Sequence, residues 1–180
     1  CDARNELLLA VLLGVKPDDA ARIARGPLAA YAAVGEEAAA YTCAYRADFA
    51  TLDGSCLREA GVARLSMEET ETLAAALQQM WPPAEVRIEA TFPGQAVLLA
   101  RRGDGSCAEG YPPGLMEGEE IDGFLPSGRA GRFVRDFVRS SREVLERHPV
   151  NDVRVDLGEN PANVLWLWGG GSVPEAGAVL

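Results

Sequence analysis

The stretch Asn160-Pro161-Ala162-Asn163-Val164-Leu165-Trp166-Leu167-Trp168-Gly169-Gly170-Gly171 constrains the fold more than any other. Two of the chain's three tryptophans stand there at alternate positions, in a short apolar run that follows a proline turn and ends in three glycines. Such a run predicts one buried strand at or near the centre of a sheet. Two indoles need a large apolar partner surface, and each indole N–H needs an acceptor. The core therefore closes around Trp166 and Trp168, or around one of them if the strand has a wet face. Gly169-Gly170-Gly171 permits positive φ and close approach to a ligand or another chain, although a strand followed by a flexible turn is the simpler expectation.

At 180 residues the chain suits one domain with a full core. A formal charge of -10 argues against nucleic acid or an anionic membrane as the main partner, since phosphates are bound through clustered cations. Cys1, Cys43, Cys56 and Cys107 lack C-x-x-C spacing, which predicts reduced thiols in a cytoplasmic protein rather than a zinc site. With His148 as the single histidine, a self-contained histidine metal site or Ser-His triad is disfavoured. The longest apolar run, Leu7 to Leu13, is about half of what crosses a bilayer, and it lacks the flanks of a signal peptide. A chain that starts at Cys1 instead of Met reads as a piece excised from something longer. The other candidate, a mature lipoprotein, would place a polar tether after its cysteine.

Taken in order, Asn5 caps a predicted helix through Leu13, and Pro27 opens a second over Leu28–Ala33. Arg25 lies just before that second helix, where it is either solvated or close to an anion at the N-terminus. From Tyr41 the period becomes two. Tyr41, Cys43, Tyr45, Ala47 and Phe49 share a greasy face, and Thr42, Ala44, Arg46, Asp48 and Ala50 a polar one. Arg46 and Asp48 are then either an exposed ion pair or a charged floor for an anionic ligand. Arg58 and Arg64 flank a short segment. Next comes a helix with a Ser66/Glu69 capping box, which Trp81-Pro82-Pro83 ends. Val86–Phe92 and Ala96–Ala100 read as a hairpin. Residues 102–126 form the longest loop, and Ser127 to His148 the longest helix. Arg132, Arg135, Arg139 and Arg142 make a stripe along that helix, expected to be a salt-bridged face. His148 falls at its end, where the helix dipole favours a cation.

No nucleotide-binding or hydrolase signature is present. The residues by themselves give an α+β fold, a single domain whose mixed or antiparallel sheet of about four strands packs with helices. They name no function.

Arg25-Gly26-Pro27-Leu28, Tyr45-Arg46-Ala47-Asp48-Phe49-Ala50-Thr51, His148-Pro149-Val150-Asn151 and the tryptophan segment, in this order and spacing, resemble the archaeal-type, cofactor-independent phosphoglycerate mutases and related bacterial proteins proposed to be homoserine kinases. The resemblance implies that residues 1–180 are the cap inserted into an alkaline phosphatase-like core. In that family the core holds two divalent metals, manganese or zinc, and a serine nucleophile. This chain would then contain no catalytic or metal-binding residue, and would share a phosphorylated small-molecule substrate with the core. Arg46 and Asp48 lead as substrate-binding residues, followed by Arg25, Arg58 and Arg64. Lys16, Gly94-Gln95, Gly114 and the segment around Ala60-Gly61 depart from the family pattern, which allows a divergent relative, homoserine kinase-like or phosphatase-like. A binding module that keeps the cap fold without catalysis is the remaining alternative.

Overall fold

The computed structural model describes residues 25–174. The predicted first helix, Cys1 and Lys16 lie outside these residues. Helix α1 (Arg25–Val34) leads into β1 (Cys43–Asp53), which turns at Gly54 (φ +59°) into β2 (Cys56–Glu59). Then come α2 (Met67–Gln78), the hairpin β3 (Val86–Phe92) and β4 (Gln95–Ala100), α3 (Gly128–Leu145), α4 (Pro149–Asp156) and β5 (Val164–Ser172). The five strands are antiparallel. β1 is their hub, pairing with β4, with β5 and, at its far end, with β2.

A strand flanked on both edges and covered on both faces cannot keep a wet side. The polar face predicted for β1 is accordingly buried at Ala44, Asp48 and Ala50, with Arg46 half-buried. Tyr45, Ala47 and Phe49 enter the main core with Leu73 and Leu77 of α2, Phe137 of α3, and Leu165 of β5. On the opposite face Ala44 packs with Leu28, Ala30 and Tyr31 of α1 and with Val97 and Leu99 of β4. Contact with α1 requires glycine at position 26, because a Cβ there would come within 2.3 Å of the Ala44 carbonyl oxygen.

Local chemistry fixes the helices. The Ser66 hydroxyl accepts from Glu69 N and the Glu69 carboxylate accepts from Ser66 N, closing the predicted capping box. The long helix ends at Leu145, short of the predicted end at His148, and a second helix begins at Pro149. His148 is the N-cap of that second helix, its Nδ1 accepting from Val150 N at 3.3 Å. His148 thus starts the following helix instead of ending the long one.

β5 runs straight through the glycine triplet where a flexible turn was the simpler expectation. Its glycines serve close packing. A Cβ on Gly170 would lie 2.1 Å from the Ala108 carbonyl oxygen and 2.3 Å from the Tyr45 ring. Gly170 N also donates to Glu109 O at 2.7 Å, so the segment after Cys107 is laid along this strand. That placement brings Cys43 and Cys107 together as a disulfide with Cα atoms 5.8 Å apart. The expectation of reduced thiols fails for this pair because the contact is made across 64 residues of sequence, which spacing rules do not sense. Cys56 is free.

Candidate functional site

Strand register builds a polar cluster under the N-terminus of α1. Arg46 stands opposite Trp168 on β5 and Val97 on β4, and Asp48 stands opposite Trp166 and Gln95. Cross-strand partners point to the same face. Trp168 Nε1 donates to Asp48 Oδ2 at 2.7 Å. The Arg46 guanidinium lies over the same indole, its Cζ 4.8 Å from the ring centroid, and Nη2 donates to Gln95 Oε1 at 3.4 Å. Arg25, the first residue of α1, comes over the ring as well, at 5.6 Å. Stacking a guanidinium on an indole is worth about 0.5–2 kcal/mol, depending on desolvation. Gly169 permits this arrangement: its φ is +58°, and a Cβ there would press on Arg25 Cβ at 3.1 Å.

Two arginines over one tryptophan, with a carboxylate held by its N–H, form a charged cluster with one fixed acceptor. Asp48 is 9 % exposed, and its Oδ1 is buried without a hydrogen-bond partner. Burial pushes the Asp48 carboxyl above its ordinary range, while Arg46 and the Trp168 N–H pull it down. The net direction is up, as expected for a carboxylate that has lost water on one oxygen.

Of the five residues singled out in the sequence, three come together: Arg25, Arg46 and Asp48. Arg58 and Arg64 stand apart. Arg58 is exposed on β2, which pairs with β1 only from Thr51 onward. Arg64 is exposed at φ +59° and faces Glu159 at 3.9 Å. Trp168 and Gln95 join the cluster although the sequence did not mark them for it; a tryptophan in a buried strand reads as core until its cross-strand partner is known. Two of the four arginines in the stripe on α3 make the expected ion pairs. Arg132 meets Asp136, Arg142 meets Glu146, and Arg135 donates to the carbonyls of Pro126 and Gly128.

A separate cleft of about 470 Å³ is lined by Trp81, Arg102, Arg129 and Phe133, among others. Its arginines are engaged: Arg102 and Arg129 both pair with Asp104, and Arg102 lies over Phe133. Among the described residues no three His, Cys, Asp or Glu side chains gather to hold a metal ion, so they do not fit a two-metal centre. No helix among them is long and apolar enough to cross a membrane.

Comparison with known proteins gives a consistent set of relatives. The family model described as 2,3-bisphosphoglycerate-independent phosphoglycerate mutase matches residues 9–151. Proteins of that name from Methanosarcina mazei and Thermococcus gammatolerans are 34% and 33% identical over 151 and 143 residues. These alignments take in 84% and 73% of this chain but only 38% and 33% of the relatives. Among solved structures, the cofactor-independent phosphoglycerate mutase of Thermoplasma acidophilum superposes with a TM-score of 0.66 at 23% identity, over 91% of this chain and 45% of that one. A Pyrococcus horikoshii protein gives 0.60 at 24% identity, over 91% and 36%. At such identities the two structures speak for the fold.

Proposed function

Since the chain belongs to the 2,3-bisphosphoglycerate-independent phosphoglycerate mutase family, we propose that it forms the substrate-covering cap of such an enzyme. The reaction would interconvert 3- and 2-phosphoglycerate in glycolysis, in the cytoplasm, through a phosphoserine intermediate. The observation that carries this reading is the stacking of Arg25 and Arg46 on Trp168 beside Asp48. Phosphoryl transfer depends on positioning and on preorganised positive charge. In the proposal Arg46 and Arg25 grip the anionic groups of the substrate, Asp48 orients it, and the cap excludes water. The two divalent metal ions, manganese or zinc, and the serine would come from outside residues 25–174, and this chain alone would be inactive. Arg58 and Arg64 drop to outer positions in this scheme.

The test uses the whole enzyme with Mn²⁺ or Zn²⁺. It should interconvert the two phosphoglycerates, and Arg46→Ala should lower kcat/KM by about ten- to a hundredfold, the loss of one charged contact in a desolvated site. Full activity in that variant would remove Arg46 from the site. One observation favours a second reading, a relative with another phosphorylated substrate. Gln95, at one of the departures from the family pattern, reaches the Arg46 guanidinium directly. Turnover of a different small phosphorylated alcohol, with none of phosphoglycerate, would select that reading.

A further inference from the structure

Residues 102–111 lie as a strap along β5. The strap starts at Arg102, whose N donates to Thr42 Oγ1 at 2.6 Å, and is held at its far end where Tyr111 O accepts from Trp166 Nε1 at 2.8 Å. Between these anchors Glu109 O accepts from Gly170 N at 2.7 Å, and a Cβ on Gly110 would come within 2.7 Å of Leu167 O. Arg102, Gly103 and Asp104 also wall the cleft of about 470 Å³ to which α3 contributes Arg129 and Phe133. One covalent bond joins the strap to the sheet, from Cys107 to Cys43.

Keeping the strap down has a polar cost. Of the four buried side-chain polar atoms without a hydrogen-bond partner among the described residues, three belong to the strap or to what it covers: Arg102 Nε, Ser106 Oγ and Tyr45 OH. Tyr45 stands two residues beyond Cys43 on the same face of β1, and its ring and the Ala108 carbonyl meet over Gly170. Its hydroxyl reaches the Ala108 backbone without a well-formed hydrogen bond. A polar atom that gives up water and gains no partner disfavours the arrangement that buries it. Lifting the strap would return all three to water. The disulfide opposes that by making the meeting of strap and sheet intramolecular.

The two sulfurs differ in access. Cys43 is 0% exposed, whereas Cys107 is half-buried, so an incoming thiolate attacks Cys107 Sγ and Cys43 leaves. Opening is local, because Cys43 keeps its ladder partners Ala100 on β4 and Ser172 on β5 whatever the state of its sulfur.

We propose that Cys43 and Cys107 form a redox-controlled latch: as a disulfide the pair holds residues 102–111 against β5 and shapes the cleft, and as two thiols it releases both. The reductant is a dithiol, free or carried by a protein. One of its thiolates forms a mixed disulfide with Cys107 while Cys43 leaves and takes a proton. Its second thiolate then displaces Cys107, which takes the other proton. Two electrons and two protons pass to the pair, and the reductant departs as its own disulfide. The latch involves no substrate and stands apart from the proposed reaction.

The test is ¹⁵N relaxation of the chain before and after dithiothreitol, with thiols counted by mass after maleimide labelling. Reduction should free one thiol at each of Cys43 and Cys107. Order parameters at residues 104–110 should then fall from about 0.85 to below about 0.6, with β1, β3 and β4 unchanged. Cys107→Ser should show the reduced profile with no reductant present. Ser106→Ala removes one unpartnered hydroxyl and keeps the bond from Ser106 N to Asp104 Oδ1. It should shift the equilibrium with dithiothreitol about fivefold or more towards the disulfide. If the strap stays down on reduction, that substitution acts on both states alike and the equilibrium does not move. An unmoved equilibrium, a pair that dithiothreitol cannot reduce in the folded chain, a strap that stays ordered as thiols, or order lost throughout the sheet would each overturn the latch.

Discussion

Two arginine clusters in this molecule use the same residue types to opposite ends. Arg154 of α4 is 2% exposed, and its head group is spoken for on every side. Nε donates to Asn160 O, Nη2 to Ala63 O, and Nη1 meets Glu69 and Glu159, each at 3.2 Å. Around it Asn151 bonds Leu145 O and both the N and O of Ala162, and Asn163 bonds the N and O of Leu52. The Arg46 cluster instead stacks cations on an aromatic face and keeps a buried carboxylate with one oxygen unmet. Complete satisfaction marks scaffold. A closed charge with an open valence marks a place where something else is expected to bind.

The largest effect that would sharpen this contrast is Arg154→Leu. Removing a buried, multiply bonded cation strands two carbonyls and leaves Glu69 and Glu159 facing each other. The expected cost is about 3–4 kcal/mol, roughly 6–16 °C in Tm, with ligand affinity unchanged below the transition. A Tm loss under a degree or so would mean that α4 is not pinned by this residue. Next, replacing Cys43 and Cys107 together by serine opens a loop of 64 residues and should cost about 2–4 kcal/mol in thermal unfolding. If unfolding is instead unchanged by a reducing agent, the disulfide contributes nothing. Arg46→Ala inverts the pattern of Arg154→Leu: a stability change of about 1 kcal/mol, the size of one cation–π contact, but a large loss of anion binding.

The smallest effect carries the opposite sign. Because burial raises the Asp48 carboxyl above its ordinary value of 3.8, the folded state holds this proton more tightly than the unfolded chain does. Stability is then lost as pH rises from about 3.8 through the folded value, and the ionised carboxylate is a standing cost above it. Asp48→Asn, which keeps an acceptor for the Trp168 N–H, should therefore raise Tm at pH 7, and its advantage should vanish towards pH 4. Paired unfolding curves across that range check the sign. Destabilisation at pH 7 would mean that the carboxylate is already fully compensated in the fold.

Local rules recovered what local chemistry decides. The Ser66/Glu69 capping box, Pro27 in the first turn of α1 and the hairpin about Gly94 were legible because each depends on a few adjacent residues. Three of the five candidate site residues also converge, because the alternation in β1 put Arg46 and Asp48 on one face before any partner was known. What escaped was decided across the sequence. That Trp168 lies opposite Arg46 depends on β5 pairing with β1 over 120 residues, and the disulfide depends on where the segment after Cys107 is laid. The helix at Pro149 escaped for another reason. It has only eight residues, with Val153 and Val155 exposed, so it shows no clean apolar stripe; buried polar bonds from Asn151 and Arg154 hold it instead.

The most direct test of the account is the place where 3-phosphoglycerate perturbs this chain in an NMR titration. The account predicts that the shifts centre on Arg25, Arg46, Asp48 and the Trp168 indole N–H, with Arg58, Arg64 and the surroundings of Arg154 silent. Shifts centred instead on the cleft at Arg102, Arg129 and Phe133, with the Trp168 indole unmoved, would contradict it.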